Sequence, residues 1–306
     1  MNKKKLPSIV ILVVLVVFYI IIQLNKSTEK RIDFFEVDST QIAGIKISSL
    51  EDTIQIKKNN GTWMIVEPIE YKAADNMVKA IFDNVLSIEA SKTPLADKKS
   101  SHVFYNVTDS LASYIAFLDE QGKELDAAYI GESSNYNYSN ARKPNDTKVY
   151  QLFQNISYNV RPSLYSWRSK KILELPREQI TELEISGEEY NYKLTATDSL
   201  WQYSSSSEQF TIPEQNSALN SIINSLASFN TTNFVDDNYS EYENQFKNPQ
   251  LKVKVKLYDG TEHLLSFIPY EENKFLVNKD EGKQHLFVLS SSKGKIFQKD
   301  ADEFKK

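Results

Sequence analysis

Gln41–Glu67 reads QIAGIKISSLEDTIQIKKNNGTWMIVE. Ile45 and Ile47 alternate with Gly44, Lys46 and Ser48, and Thr53-Ile54-Gln55-Ile56-Lys57 repeats the alternation. A period of two belongs to strands with one buried face. Asn59-Asn60-Gly61 then turns the chain into Thr62-Trp63-Met64-Ile65-Val66, because Asn-Gly accepts the positive φ that tight hairpins require. A three-stranded antiparallel meander is expected.

From Ala73 the period changes. Met77 or Val78, Ile81, Phe82, Val85 and Ile88 recur at three- and four-residue steps, which gives a helix one apolar face. Tyr114–Leu118 and Glu124–Ile130 read as paired strands through the turn at Gly122. The Ser-, Asn- and Tyr-rich run Glu132–Thr147 reads as a long surface loop, Val149–Phe153 as a strand, and Pro162–Tyr165 as a short helix or turn.

The same order then recurs. Gln41-Ile42 and Trp63 have counterparts in Gln179-Ile180 and Trp201, both 138 residues further on. The helical face reappears as Leu219, Ile222, Ile223, Leu226 and Phe229, offset by 141, and Ile115, Phe117 and Gly122 return as Val253, Val255 and Gly260, again offset by 138. Small changes in loop length shift an offset in this way, so a tandem duplication is expected. The fold class is therefore α+β: two modules, residues 34–172 and 173–306, each β-β-β-α-β-β-β, with one helix packed on a mostly antiparallel sheet.

Ahead of them lies Leu6–Leu24, LPSIVILVVLVVFYIIIQL, which holds 15 Leu, Ile, Val or Phe residues. As a helix it spans about 28 Å, close to the hydrocarbon thickness of a bilayer. Lys3, Lys4 and Lys5 precede it, and no small-residue cleavage site follows at Gln23-Leu24-Asn25-Lys26. An uncleaved single-pass anchor is expected. Residues 1–5 form a cytoplasmic tail, 6–24 the span and 25–33 a tether, with the bulk of the chain outside the cytoplasmic membrane.

Beyond Arg31 the chain carries 30 Lys and Arg against 40 Asp and Glu, a balance that argues against a nucleic-acid partner. It has no cysteine, so thiol nucleophiles, Cys-based metal sites and a lipoprotein attachment cysteine are excluded. Glycine is scarce, 8 in 306, and no Walker-type loop, dinucleotide fingerprint or Gly-x-Ser-x-Gly occurs.

Other candidate chemistry is thin. Ser290-Ser291-Ser292-Lys293 and Ser27-Thr28-Glu29-Lys30 both fit Ser-x-x-Lys, but the further motifs of acyl-transfer enzymes are missing, and Ser290 reads better as a helix N-cap. His102, His263 and His285 lack ligand spacing, so no metal is expected. Asp236-Asp237 with Glu241 and Glu243 forms an acidic patch, read as a solvated loop rather than a cation site. Tyr136-Asn137-Tyr138, Tyr158–Trp167 and Tyr239–Tyr242 place aromatics in polar stretches, where they either meet a partner or pack over a sheet edge. No catalytic, cofactor-binding or metal residue is assigned.

The layout resembles the uncharacterised bacterial family called domain of unknown function 4340. The residues that carry the resemblance are Phe35–Ile42 with Ile45 and Ile47, Gly61–Pro68, Val85-Leu86-Ser87-Ile88, the Trp167–Leu173 junction and the second start, Leu175–Ile180. Ser199-Leu200-Trp201-Gln202 departs from the first copy, lacking its Gly and Glu-Pro, so a remodelled second hairpin is expected. The resemblance implies proximity to ABC-type export systems of the gliding-motility kind and to another membrane-anchored auxiliary subunit. The expected function is a non-enzymatic, membrane-anchored accessory, scaffold or binding protein that associates with an ABC-type transporter permease, its auxiliary subunit or another envelope complex. The alternatives are a hydrolase on cell-wall or polysaccharide substrates, with carboxylates converging only in the fold, and a ligand-binding module using a groove between the repeats.

Overall fold

The computed structural model describes residues 14–17, 30–197, 200–236 and 238–306, with a boundary between two compact units at Ser169 and Lys170. Among these residues no helix is long and apolar enough to cross a membrane. The Leu6–Leu24 stretch lies outside the described residues, apart from Val14–Val17, which are helical.

The first unit opens with β1 (Arg31–Asp33), β2 (Gly44–Ser48), β3 (Thr53–Asn59), β4 (Thr62–Glu67) and β5 (Tyr71–Lys72). Helix α1 (Asp75–Ala80) follows and continues as a π-helix through Ile81–Leu86. Then come β6 (Glu89–Ser91), β7 (Ala96–Asp97), β8 (Ser113–Leu118), β9 (Glu124–Ile130), β10 (Ser139–Arg142), β11 (Lys148–Leu152) and α2 (Leu164–Trp167). They build an 11-stranded sheet in the order β1-β6-β11-β10-β9-β8-β2-β3-β4-β5, with β7 beside β11. The Asn60-Gly61 turn has φ of 47° and 83°, the positive pair that its sequence anticipates.

Alternation decides which face is buried. Ile45 and Ile47 of β2 lie opposite Ile56 and Ile54 on one side and Phe117 and Ile115 on the other. All six are buried together with Val78, Ile81, Val85 and Ile88 of the helical segment. Trp167 closes the unit; it is fully buried and donates its indole N–H to the Arg161 carbonyl at 2.9 Å.

The second unit contains β12 (Lys171–Leu173), β13 (Ile180–Gly187), β14 (Asn191–Ala196), β15 (Trp201–Ser204) and β16 (Gln209–Ile212) before α3 (Ser217–Ala227). After it come β17 (Phe229–Asn230), β18 (Asn233–Asp236), α4 (Tyr239–Lys247), β19 (Leu251–Leu257), β20 (Glu262–Tyr270), β21 (Lys274–Lys279) and β22 (His285–Ser290). Two short helices, α5 (Ser291–Gly294) and α6 (Ala301–Phe304), end the chain. The nine-stranded sheet runs β16-β15-β14-β13-β19-β20-β21-β22-β18, and β12 pairs with β17 apart from it. Leu183 lies opposite Leu194 and Val255, each 138 residues beyond Ile45, Ile56 and Phe117, which face one another in the first sheet. Buried Asn216 caps α3: its carboxamide oxygen accepts from Leu219 N at 2.8 Å, and its amide donates to the Glu303 and Lys306 carbonyls at 2.8 and 3.0 Å.

The mostly antiparallel α+β reading stands, and several details change. Four strands, not three, run β2–β5 and β13–β16 ahead of each main helix, because the short Tyr71–Lys72 and Gln209–Ile212 strands extend each meander by one. Arg31–Asp33, read as tether, is a strand paired with Glu89–Ser91. The Glu132–Thr147 loop contains β10, since Ala141 is apolar enough to be buried in the core between β9 and β11. The loop expected after Asp236 folds as α4, whose Tyr239, Tyr242 and Phe246 pack on the outer face of the sheet.

Each unit has its own core, so damage to one should stay local. Ile222 is fully buried among Leu219, Ile223 and Leu226. Burying the five apolar side chains of the α3 face contributes roughly 7–15 kcal/mol before conformational entropy is subtracted. Ile222→Asp is expected to abolish the unfolding transition of the second unit and to leave that of the first; calorimetry of the full chain checks this.

Candidate functional site

The outer face of the first sheet carries a polar row that the inner face cannot tolerate. Register sets Tyr114 of β8 opposite Tyr129 of β9, and Tyr129 opposite Arg142 of β10. The two tyrosine rings lie 5.0 Å apart, and the Arg142 guanidinium sits over the Tyr129 ring at 3.9 Å. Small neighbours make room, with Ala116 and Ala127 buried beside Leu118 on this face. The Tyr114 hydroxyl donates to Glu124, and burial followed by that carboxylate pushes its pKa well up. Tyr129 is raised for a similar reason, burial first and the Asp109 charge second, with Arg142 opposing.

Arg142 is 6% exposed. Its Nε donates to the Val107 carbonyl at 2.6 Å, one terminal nitrogen to the Lys143 carbonyl at 3.3 Å, and the other to the Asp109 carboxylate. The segment that supplies these acceptors begins with a 3₁₀ turn at Lys99–Ser101 and folds over the sheet. Asn106 accepts a φ of 57° there, and Val107 and His102 are buried beneath the segment. His102 Nε2 lies 3.0 Å from the Thr147 carbonyl. Between this segment and the polar row lies a cleft of about 590 Å³, lined by Lys99, His102, Asp109, Tyr129, Arg142 and Asp146 among others. A larger cleft of about 670 Å³ lies among Ser49–Ile54, Ser110–Ser113 and Arg161–Leu164. Its Arg161 pairs with Glu132, and both are about half exposed, so the charge there is largely hydrated. The smaller cleft is the stronger candidate, because an arginine buried at its floor keeps its field.

On the opposite side of the β9–β10 pair, Lys143 reaches Asp126 at 2.5 Å and lies over the rings of Phe34 and Phe35 at 4.7 and 4.5 Å. Burial lowers the Lys143 pKa against the pull of Asp126 and Glu36. Asp126 also accepts from Glu36 N at 2.9 Å, which fixes the start of the domain to the sheet.

The residues singled out by sequence are scattered. Ser290 occupies the N-cap position of α5 without making the capping bond; its hydroxyl meets that of Ser292 at 2.9 Å. The Lys293 amine donates to the Asn230 carbonyl at 2.6 Å, so it is committed to the backbone. Ser27, Thr28 and Glu29 lie outside the described residues. His263 and His285 sit on β20 and β22, bonded to Asp280 at 3.1 Å and to Asp236 at 2.9 Å. Asp237 lies outside the described residues, and Glu241 and Glu243 belong to α4. Among the described residues no group of three or more His, Asp or Glu could hold a metal ion. Of the aromatics, Trp167, Tyr239 and Tyr242 pack, while Tyr136 and Tyr158 remain exposed. Asp109, Tyr129 and Arg142 carry no sequence motif. The signal that could reveal them, an arginine directly after a core alanine, lies within the run read as loop.

A family model described as "Domain of unknown function (DUF4340)" matches residues 63–249. No curated protein and no solved structure matches the chain.

Removing one member of the Lys143–Asp126 pair strands the other in an aromatic environment. Asp126→Asn is expected to cost about 3 kcal/mol near neutral pH. A lysine whose folded pKa lies below its unfolded value favours the folded state increasingly as pH climbs between the two. The deficit should therefore shrink between about pH 7 and about pH 10; urea unfolding at several pH values checks both the size and the trend.

Proposed function

The chain belongs to the family called domain of unknown function 4340, and from that premise we propose that it is a non-enzymatic accessory protein, held in the cytoplasmic membrane by one N-terminal helix. Its body lies outside the cytoplasm and serves an ABC-type transporter or another envelope complex as a scaffold or binding subunit. The observation that carries the reading is the uncharged apolar stretch Ile9–Ile22 behind Lys3-Lys4-Lys5, placed just ahead of two sheet units with separate cores. Lys30 is already tied to the sheet, its carbonyl accepting from Lys92 N at 2.8 Å. Only Asn25–Glu29 then remain between span and body, which reach at most about 18 Å when extended. Such a body works at the membrane surface.

The two units descend, in this reading, from one duplicated module. Its support is the constant spacing of 138 residues between paired core positions across four strands: Ile45, Ile56, Ile65 and Phe117 against Leu183, Leu194, Tyr203 and Val255. A non-enzymatic role draws support from the commitments of the candidate nucleophile and histidines. Lys293 is bonded to backbone, and His263 and His285 each engage a separate carboxylate.

The test is membrane fractionation of the full chain with a C-terminal tag, followed by protease treatment from the outside and co-purification. The expected result is resistance to carbonate extraction, loss of the tag to external protease, and recovery of an ABC permease. A carbonate-soluble chain, or a tag protected from external protease, overturns the topology; recovery without a transporter or envelope subunit overturns the accessory role.

A further inference from the structure

We propose that the cleft above Tyr129 and Arg142 binds a small carboxylate-bearing ligand, and that Asp109 occupies the ligand's place in its absence. Two facts are in tension at this site. The Arg142 side chain is 7% exposed, whereas that of Asp109, its carboxylate partner, is 77% exposed. A buried guanidinium gains most from a partner that is itself shielded from water, and a hydrated surface carboxylate repays little of the cost of burying it. Exchanging one carboxylate for another of better fit is therefore cheap.

The guanidinium is held ready for that exchange. Its ring contact with Tyr129 and its bonds to the Val107 and Lys143 carbonyls fix its plane without using acidic groups. Three of its five N–H groups are engaged by Val107, Lys143 and Asp109, and a carboxylate matches the planar fork better than other anions. The cleft, at about 590 Å³, has the size of small-molecule sites. Lys99 and His102 add donors at its wall, while Asp146 faces the same space and is bonded to Lys148 N at 3.0 Å.

The second unit carries a related arrangement. Ser266 and Asn278 face each other on β20 and β21, as Tyr129 and Arg142 do on β9 and β10, and both are buried. A cleft of about 310 Å³ opens beside them, bordered by Lys247, Lys252 and Lys283 as well as Glu243 and Glu281. In both units, polar side chains stay buried at the same place on the outer face. The first unit alone puts a cation there. The proposal stands independently of the membrane anchor.

The test is a ligand-observed NMR titration of the full chain in detergent micelles with acetyl-alanyl-alanine, glucuronate and inorganic phosphate. The first two probes separate a peptide carboxylate from a sugar carboxylate, and the third is a non-planar anion. Saturable binding of one of the carboxylates is expected, at least about tenfold tighter in Asp109→Asn, where the internal competitor is neutral, and lost in Arg142→Gln. Asp109 is exposed, so its variant keeps the fold and decides the matter even if Arg142→Gln does not fold. Absence of saturable binding to Asp109→Asn, unchanged affinity in that variant, or phosphate binding as tight as the carboxylates overturns the proposal.

Discussion

One packing constraint governs both units: a helix buries its apolar stripe on the same face of the sheet that β2, or β13, presents with every second residue. Side-chain direction in a strand flips with each residue, so a slip of one position would turn Ile45 and Ile47 to solvent and bring Lys46 against the helix. Register is thereby pinned across β3-β2-β8 in the first unit and β14-β13-β19 in the second. Changes in length between the units are absorbed outside these strands, in the connections around the helix and in the later hairpins. That is how core positions keep a spacing of 138 while the helices are displaced by 141.

With one face committed to the helix, the outer face is left to whatever each unit can lay over it. The second unit uses α4, which brings Phe246, Tyr239 and Tyr242 onto Ile268, Leu276, Leu286 and Val288. The first unit has only small apolar side chains at the matching place, Ala116 and Ala127 beside Leu118, and an irregular segment without a full helix to cover them. Apolar cover being thin, a polar row of Tyr114, Tyr129 and Arg142 fits there, with its charge met by backbone carbonyls and one carboxylate. An incomplete apolar cover and a buried cation at a cleft thus have one cause.

The parts legible from sequence are those where a local period reports burial directly. The alternation of Ile45, Ile47, Ile54 and Ile56 yields strands, Asn60-Gly61 yields its hairpin, and Leu219, Ile222, Ile223 and Leu226 yield the buried side of α3. β10 escapes because Ser139-Asn140-Ala141-Arg142 contributes a single core side chain, too short a pattern to exceed the turn-like composition around it. α4 escapes because Tyr239–Lys247 is polar on average, and its helical character shows only through the side that the sheet accepts. The cleft residues are harder still, since Asp109, Tyr129 and Arg142 come from three separate segments and meet only through strand pairing.

By itself, the sequence determines the class of the body, the position of the two main helices, the exclusion of thiol chemistry and the acidic balance that disfavours nucleic acid. These follow from properties summed over contiguous residues: period, composition and charge. Only the tertiary structure decides which side chains share the outer face, that Arg142 is buried over Tyr129 while Asp109 stays in water, and that Lys293, His263 and His285 have separate partners. The physical reason is that burial and partnership belong to neighbours in space, and antiparallel pairing brings together residues that the chain order keeps apart.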